Sequence, residues 1–448
     1  MNNKKYTRRE FIKKTVAGAA GVAAAHLGFP AILRSASPNE TIGIGVIGFG
    51  IRARQMMCAL GHAHPQAAPN ATGFGTITRK DRTRGYGRKN QTLVKPFDTE
   101  QIRAVCDIYQ DALKYASEMF PPNVKYYDNY RKVLDDPDID CVMIFTPDHW
   151  HVKIAIDACK AGKDVFIEKC PTHNFTEGVA LKKAVEENKR VLQLNESGVH
   201  SAATKKMRDI VRSGALGRVH LVRICKDIQA DRRLWDWPIP SDLSPKTINW
   251  KEFLGSAPYH EFDPKRVIQW RCYWDYGTGV CGDLFSHTLA VVNTVMDIHI
   301  PKTAVASGGT YELNDYMYVP DLYHSIYEYP DKGLTVNFSS NFAAPQPYSD
   351  TVYYGTDAAM TQKGSQIHIS NKPGSGKEPL EIIRPQRTSE MSGQETHFHE
   401  FFDAIRTRGK TTCDMHMCFG EDLACHMGTE AFHRGRKVTW DPEKMEII

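Results

Sequence analysis

The apolar run Ile42-Gly43-Ile44-Gly45-Val46-Ile47 ends in Gly48-Phe49-Gly50-Ile51-Arg52-Ala53, and a helix-forming stretch follows. This order of strand, glycine turn and helix constrains the fold more than any other feature of the chain. Gly48 permits a tight turn, Gly50 lets the backbone approach a phosphate group, and Ala53 is small enough for helix and strand to pack closely. The helix N-terminus adds N–H donors and the positive end of its dipole. A G-x-G-x-x-A loop in this context predicts a dinucleotide site lined by Gly48, Phe49, Gly50, Ile51 and Arg52.

Short apolar runs recur at 102–106, 141–145, 164–167 and 191–194, separated by helix-like stretches at 112–119, 152–161 and 177–188. The alternation predicts βαβ units and a doubly wound parallel sheet, a Rossmann domain over residues 41–197. Asp107 closes the second run. A carboxylate there accepts hydrogen bonds from a ribose 2′-hydroxyl and repels a 2′-phosphate, which favours NAD over NADP. The same residue type also caps helices. Residues 62–98, rich in Gly, Pro, Asn and basic side chains, form an insertion. It reads as a solvated surface segment or as a flap over the cofactor phosphates. Beyond 198 a helix at 202–213 precedes strand-like runs at 218–224, 303–306, 323–329, 334–339, 351–354 and 365–369. A helical tail at 396–434 breaks near 409–414. These predict a second α/β domain, residues 198–448, on an open, largely antiparallel sheet.

The formal charge of +5 belongs to the first 40 residues, which hold seven basic and two acidic side chains. The neutral remainder gives no global electrostatic case for nucleic acid. Thr7-Arg8-Arg9-Glu10-Phe11-Ile12-Lys13 precedes an Ala- and Gly-rich apolar run from Val16 to Phe29. That run is too short to span a membrane and lies behind a basic start, as in a twin-arginine export signal. Residues 1–40 are therefore expected to be signal and linker. They imply the twin-arginine translocase as partner, a periplasmic destination and no membrane span after signal removal. Free dinucleotide should be scarce there, so any NAD should be tightly held. The eleven cysteines show no repeated spacing and fit buried thiols better than a disulfide framework. His149/His151 and His397/His399 form H-x-H pairs that would point apart on a helix, and no cysteine stands at finger spacing, so no metal site is expected.

Further motifs follow in order. Thr146-Pro147-Asp148-His149-Trp150-His151 follows the run at 141–145, and Glu168-Lys169 closes the next. Trp270-Arg271-Cys272-Tyr273-Trp274-Asp275-Tyr276-Gly277-Thr278-Gly279 leads into Asp283-Leu284-Phe285-Ser286-His287. Beyond its leader the chain resembles the Gfo/Idh/MocA family, the relatives of glucose–fructose oxidoreductase and inositol dehydrogenase, and within it the exported members of carbohydrate-degrading bacteria. The resemblance implies a second-domain sheet whose face covers the nicotinamide, a carbohydrate substrate and a homo-oligomer. It implies that Lys169, Asp283 and His287 form the catalytic cluster, and that Thr146, Pro147, Trp150, His151, Glu168 and Lys169 contact the cofactor. The family reads Glu-Lys-Pro where this chain has Glu168-Lys169-Cys170-Pro171. The proline has moved one place, which leaves open the backbone geometry after Lys169, including any cis peptide.

These residue types suit the oxidation of a secondary alcohol. His287 is the expected base for the hydroxyl proton. Lys169 is expected to stabilise alkoxide character on the same oxygen. Asp283, four residues before His287, would share a helix face with it and orient the imidazole or bind a second hydroxyl. Without the family pattern, Asp283–His287 reads as a helix-surface ion pair and Lys169 as a solvated strand end. Trp270, Tyr273, Trp274 and Tyr276 suit the C–H faces of sugar rings, with core packing expected for about half of such aromatics. Arg271 suits a hydroxyl, a carboxylate or an acidic neighbour. The expected activity is exported, NAD-dependent hydride transfer at a ring hydroxyl of a sugar or glycoside, with C3 favoured. A glycosidase working by transient oxidation and elimination is one alternative, and a non-catalytic NAD- and sugar-binding protein is the other.

Overall fold

The computed structural model describes residues 41–62, 97, 99–374, 376, 378, 380–386 and 391–448. The leader, and the insertion apart from His62 and Phe97, lie outside the described residues. Six strands form a wholly parallel sheet: β1 (Ile42–Ile47), β2 (Glu100–Cys106), β3 (Lys125–Tyr127), β4 (Cys141–Ile144), β5 (Asp164–Ile167) and β6 (Leu192–Leu194), in the order β3-β2-β1-β4-β5-β6. Every residue of β1, β4, β5 and β6 is buried, as expected for strands covered on both faces. Ile47 pairs with both Cys106 and Ile144, Ile144 with Ile167, and Ile167 with Leu194. This register brings the residues that follow, Gly48, Asp107, Phe145, Glu168 and Asn195, to one edge. The strand order reverses direction between β1 and β4, where ligands of such sheets bind.

The second sheet has ten strands: β7 (Leu221–Lys226), β8 (Thr303–Gly309), β9 (Leu322–Tyr329), β10 (Leu334–Asn341), β11 (Ser349–Tyr354), β12 (Ala358–Lys363), β13 (Gln366–Asn371), β14 (Leu380–Ile383), β15 (Val438–Asp441) and β16 (Glu446–Ile447). Their order is β14-β13-β12-β11-β7-β10-β9-β8-β15-β16. Only β7 and β10 run parallel; the other pairs are antiparallel. The expected α/β class, with one doubly wound parallel sheet and one largely antiparallel sheet, is borne out.

The tail forms two helices, Gly393–Thr407 and Met415–Arg434. Ser392 and Glu395 close a capping box on the first, and Asp414 caps the second through His416 and Met417 N–H. The helix Met415–Arg434 is buried along most of its length because it packs on both the helix Phe175–Asn188 and strand β8. Gly428 makes the close approach possible, since a Cβ there would stand 2.1 Å from Tyr327 Oη and 3.0 Å from Cys281 Sγ.

Candidate active site

The glycine loop forms as its sequence demands. Gly48 takes φ +83°, and its N–H donates to Cys106 O at 2.9 Å. A Cβ on Gly48 would come within 2.8 Å of Phe145 C, whereas one on Gly50 would meet nothing within 4 Å. Gly48 is thus set by the fold, while Gly50 leaves open space at the head of the helix Ile51–Ala59. Asp107 accepts from Phe49 N–H at 2.6 Å and Tyr109 N–H at 2.9 Å. Burial raises its carboxyl above the ordinary value, opposed by those two N–H groups. Each oxygen keeps lone-pair capacity for a ribose hydroxyl. Thr146 Oγ1, after β4, is buried without a hydrogen-bond partner among the described residues. The open space at Gly50, the acceptor at Asp107 and the orphaned hydroxyl at Thr146 together fit a bound dinucleotide.

Glu168, at the end of β5, is buried and accepts from Arg52 Nε at 2.6 Å and Asn195 Nδ2 at 2.5 Å. Burial pushes its carboxyl up, but Arg52 outweighs this and holds it below the usual range. The Arg52 side chain is thereby bound to Glu168. Lys169 follows and turns into the second sheet's territory. The peptide Lys169–Cys170 is cis, so the cis bond directly follows the lysine although the proline lies one place further on.

Lys169 Nζ donates to Asp283 Oδ1 at 2.5 Å and to Asp283 O at 2.7 Å. Asp283 also accepts from Arg271 Nε at 2.9 Å and Trp235 Nε1 at 3.2 Å. Burial alone would raise the Asp283 carboxyl, yet Lys169 and Arg271 bring it well below the usual carboxylate range. The same pairing raises Lys169 above its ordinary value against the opposing effect of burial. An ammonium has three donors, so one Lys169 N–H is left over.

Asp283 and His287 do not pair. A π-helical turn, Cys281–Phe285, precedes the helix Ser286–Met296 and breaks the regular i, i+4 relation. His287 Nδ1 instead lies 2.9 Å from the Glu196 carboxylate, at the end of β6. Glu196 is 4% exposed at its side chain and His287 47%, so the imidazole reaches out from a buried anchor. Nε2 is left as its working atom.

Several expected contacts fall elsewhere. His151 is buried, with Nδ1 2.6 Å from Cys170 O and Nε2 2.8 Å from Thr146 O, so both ring nitrogens serve backbone rather than cofactor. Trp150 Nε1 donates to Phe253 O at 3.0 Å. Tyr276 is fully buried against His149 and Phe253, and Tyr273 is buried against Tyr318. Both are core rather than sugar-facing, while Trp270 and Trp274 remain half-buried. Arg271 binds the acidic neighbour, Asp283, with its guanidinium 4.0 Å over the Trp270 ring.

Sequence reasoning missed Glu196, Asn195 and Trp235. The first two follow β6 in the row of strand ends, a position that marks ligand sites in such sheets. Trp235 carries no comparable signal. It is buried at φ +68°, an unfavourable region for a bulky residue, and packs edge-on against Phe342.

Two profiles of one family match the chain. The first, described as oxidoreductase family, NAD-binding Rossmann fold, spans 42–196, and the second, its C-terminal alpha/beta domain, spans 200–304. A levoglucosan dehydrogenase of Pseudarthrobacter phenanthrenivorans is 28% identical over 192 residues, 40% of this chain and 42% of that enzyme. The alignment therefore spans under half of that relative's length. An alpha-N-acetylgalactosaminidase of Shewanella oneidensis is 23% identical over 410 residues, 81% of this chain and 75% of that one. A levoglucosan dehydrogenase solved in complex with NADH superposes with TM-score 0.63 at 16% identity, covering 89% of this chain and 99% of that one, and so shares its fold.

Proposed function

The chain belongs to the Gfo/Idh/MocA family of oxidoreductases, and on that footing we propose that it oxidises a ring hydroxyl of a sugar or glycoside, C3 by preference, at a tightly held NAD. The observation that carries the reading is the Lys169–Asp283 pair, within electrostatic reach of His287, next to Glu168 and the glycine loop's Arg52. When bound, the dinucleotide supplies the hydride acceptor. His287 receives the hydroxyl proton at Nε2, with Glu196 holding Nδ1 and stabilising the charged ring. Lys169 gives its remaining N–H to the same oxygen and stabilises alkoxide character. Asp283 locks Lys169 in place, and Arg271 and Trp235 lock Asp283. Trp270, with one face covered by Arg271, and Trp274, stacked on Phe432, are half-buried and offer their remaining surface to sugar C–H groups.

The twin-arginine pattern of residues 7–13 supports export to the periplasm with NAD already bound. Val305 and Ile326, exposed cross-strand partners on β8 and β9, support self-association through the second sheet. The glycosidase relative supports a second outcome, net hydrolysis through transient oxidation and elimination. One experiment separates these readings: the protein is purified without added cofactor, its NAD content measured and a glycoside panel applied. Nicotinamide reduction on mixing supports the oxidoreductase, and aglycone release without a redox partner supports the hydrolase. A protein that neither retains nor takes up NAD overturns both.

A further inference from the structure

We propose that His200, His397 and Glu400 bind a divalent cation of the zinc class at a site separate from the hydride-transfer cluster. His397 and Glu400 lie three residues apart on one face of the helix Gly393–Thr407, and His200 ends the turn Ser197–His200. One ligand atom from each lies within 4.8 Å of the others. His399, its H-x-H partner in the sequence, packs against Phe97, and the fold brings His397 to His200 and Glu400 instead.

Three orphaned atoms carry the inference. His200 Nε2, His397 Nδ1 and Glu400 Oε2 are all buried without a hydrogen-bond partner among the described residues. His200 Nε2 and Glu400 Oε2 stand 3.3 Å apart, an ion pair only when the ring is protonated. Buried polar atoms are normally satisfied, so three such atoms in so tight a residue cluster call for a common partner. The chemistry of that partner follows from the other side of each group. His397 Nε2 lies 3.0 Å from Leu194 O, which can only accept, so Nε2 carries the proton and Nδ1 presents a lone pair. Thr412 Oγ1 donates to the other Glu400 oxygen at 2.5 Å.

Ligands oriented by a carbonyl and a hydroxyl behind them are the arrangement that metal sites use. Two imidazoles and one carboxylate suit zinc, at roughly 2.0–2.2 Å from each ligand, and leave a position for water. The Glu400 side chain is 26% exposed, which gives the ion a way in. The turn that supplies His200 directly follows Glu196, so the ion would pin the segment beside the residue that anchors His287.

The test uses the full-length chain without a histidine tag, stripped with a chelator, given zinc chloride and desalted. About one zinc per chain is expected by elemental analysis, together with a raised Tm. Glu400→Gln and His397→Gln should lose both effects. Thr412→Val, which removes only the supporting hydroxyl, should weaken zinc binding roughly 10- to 100-fold. Cobalt substituted for zinc should give tetrahedral visible bands in the parent alone. The proposal is overturned if the parent keeps no zinc after desalting. It is also overturned if Glu400→Gln keeps as much as the parent, which would mean an adventitious ion only, held by surface histidines.

Discussion

Gly48 and Gly50 stand two residues apart and answer to different demands. Gly48→Ala places a Cβ 2.8 Å from Phe145 C at φ +83° and should destabilise the fold by more than about 1–2 kcal/mol, read as a lower Tm. Gly50→Ala meets no atom within 4 Å and should fold with the parent's Tm while losing NAD affinity. Equal affinity for NAD in the Gly50→Ala protein would remove the dinucleotide from this loop. Glu421 gives a pH prediction. Its two carboxyl oxygens are buried without hydrogen-bond partners among the described residues. Burial, then repulsion from Glu196, raises it well above its ordinary value of 4.5. A raised carboxyl contributes stability fully below the unfolded-state value, and that stability is lost as pH rises through the folded-state value. Above about pH 4.5 the parent should therefore lose stability relative to Glu421→Gln by up to about 1.4 kcal/mol per pH unit. A Tm difference between the two proteins that stays constant with pH would contradict this.

Elements were legible where burial makes the sequence monotonous. The continuous apolar runs of β1, β4 and β5 stand out because parallel strands are covered on both faces. Strands β3 and β14, with no buried residue, carry no such pattern. The acid–histidine pair failed for a geometric reason: spacing of four residues places Asp283 and His287 together only on a regular helix, and the π-helical turn Cys281–Phe285 separates their partners. Nothing in the residues from 281 to 287 announces that turn. Its packing yields a prediction at Gly282, where a Cβ would stand 2.1 Å from Thr278 Oγ1 and 2.8 Å from Cys170 Sγ. Gly282→Ala should displace the turn that carries Asp283, lowering kcat while NAD remains bound through the glycine loop, which the substitution does not touch. Unchanged turnover would show that Asp283 does not depend on this packing.

The candidate site draws on both parts of the chain. The first supplies Lys169 and Glu196 from its strand ends, and the second region supplies Asp283, His287, Arg271 and Trp235. Motif order identified most of these residues, but not their pairing, because partners such as Lys169 and Asp283 are 114 residues apart. These residues are proposed to transfer hydride from a sugar to a dinucleotide held in place. The most direct measurement is a single turnover: NAD-loaded protein is mixed with a reactive glycoside and nicotinamide reduction is followed. The parent should reduce no more than its own bound NAD. Lys169→Met, retaining NAD and a comparable Tm, should be slower by roughly 10²-fold or more. Reduction at the parent's rate in Lys169→Met, or bound NAD that stays oxidised with every glycoside, would contradict the account.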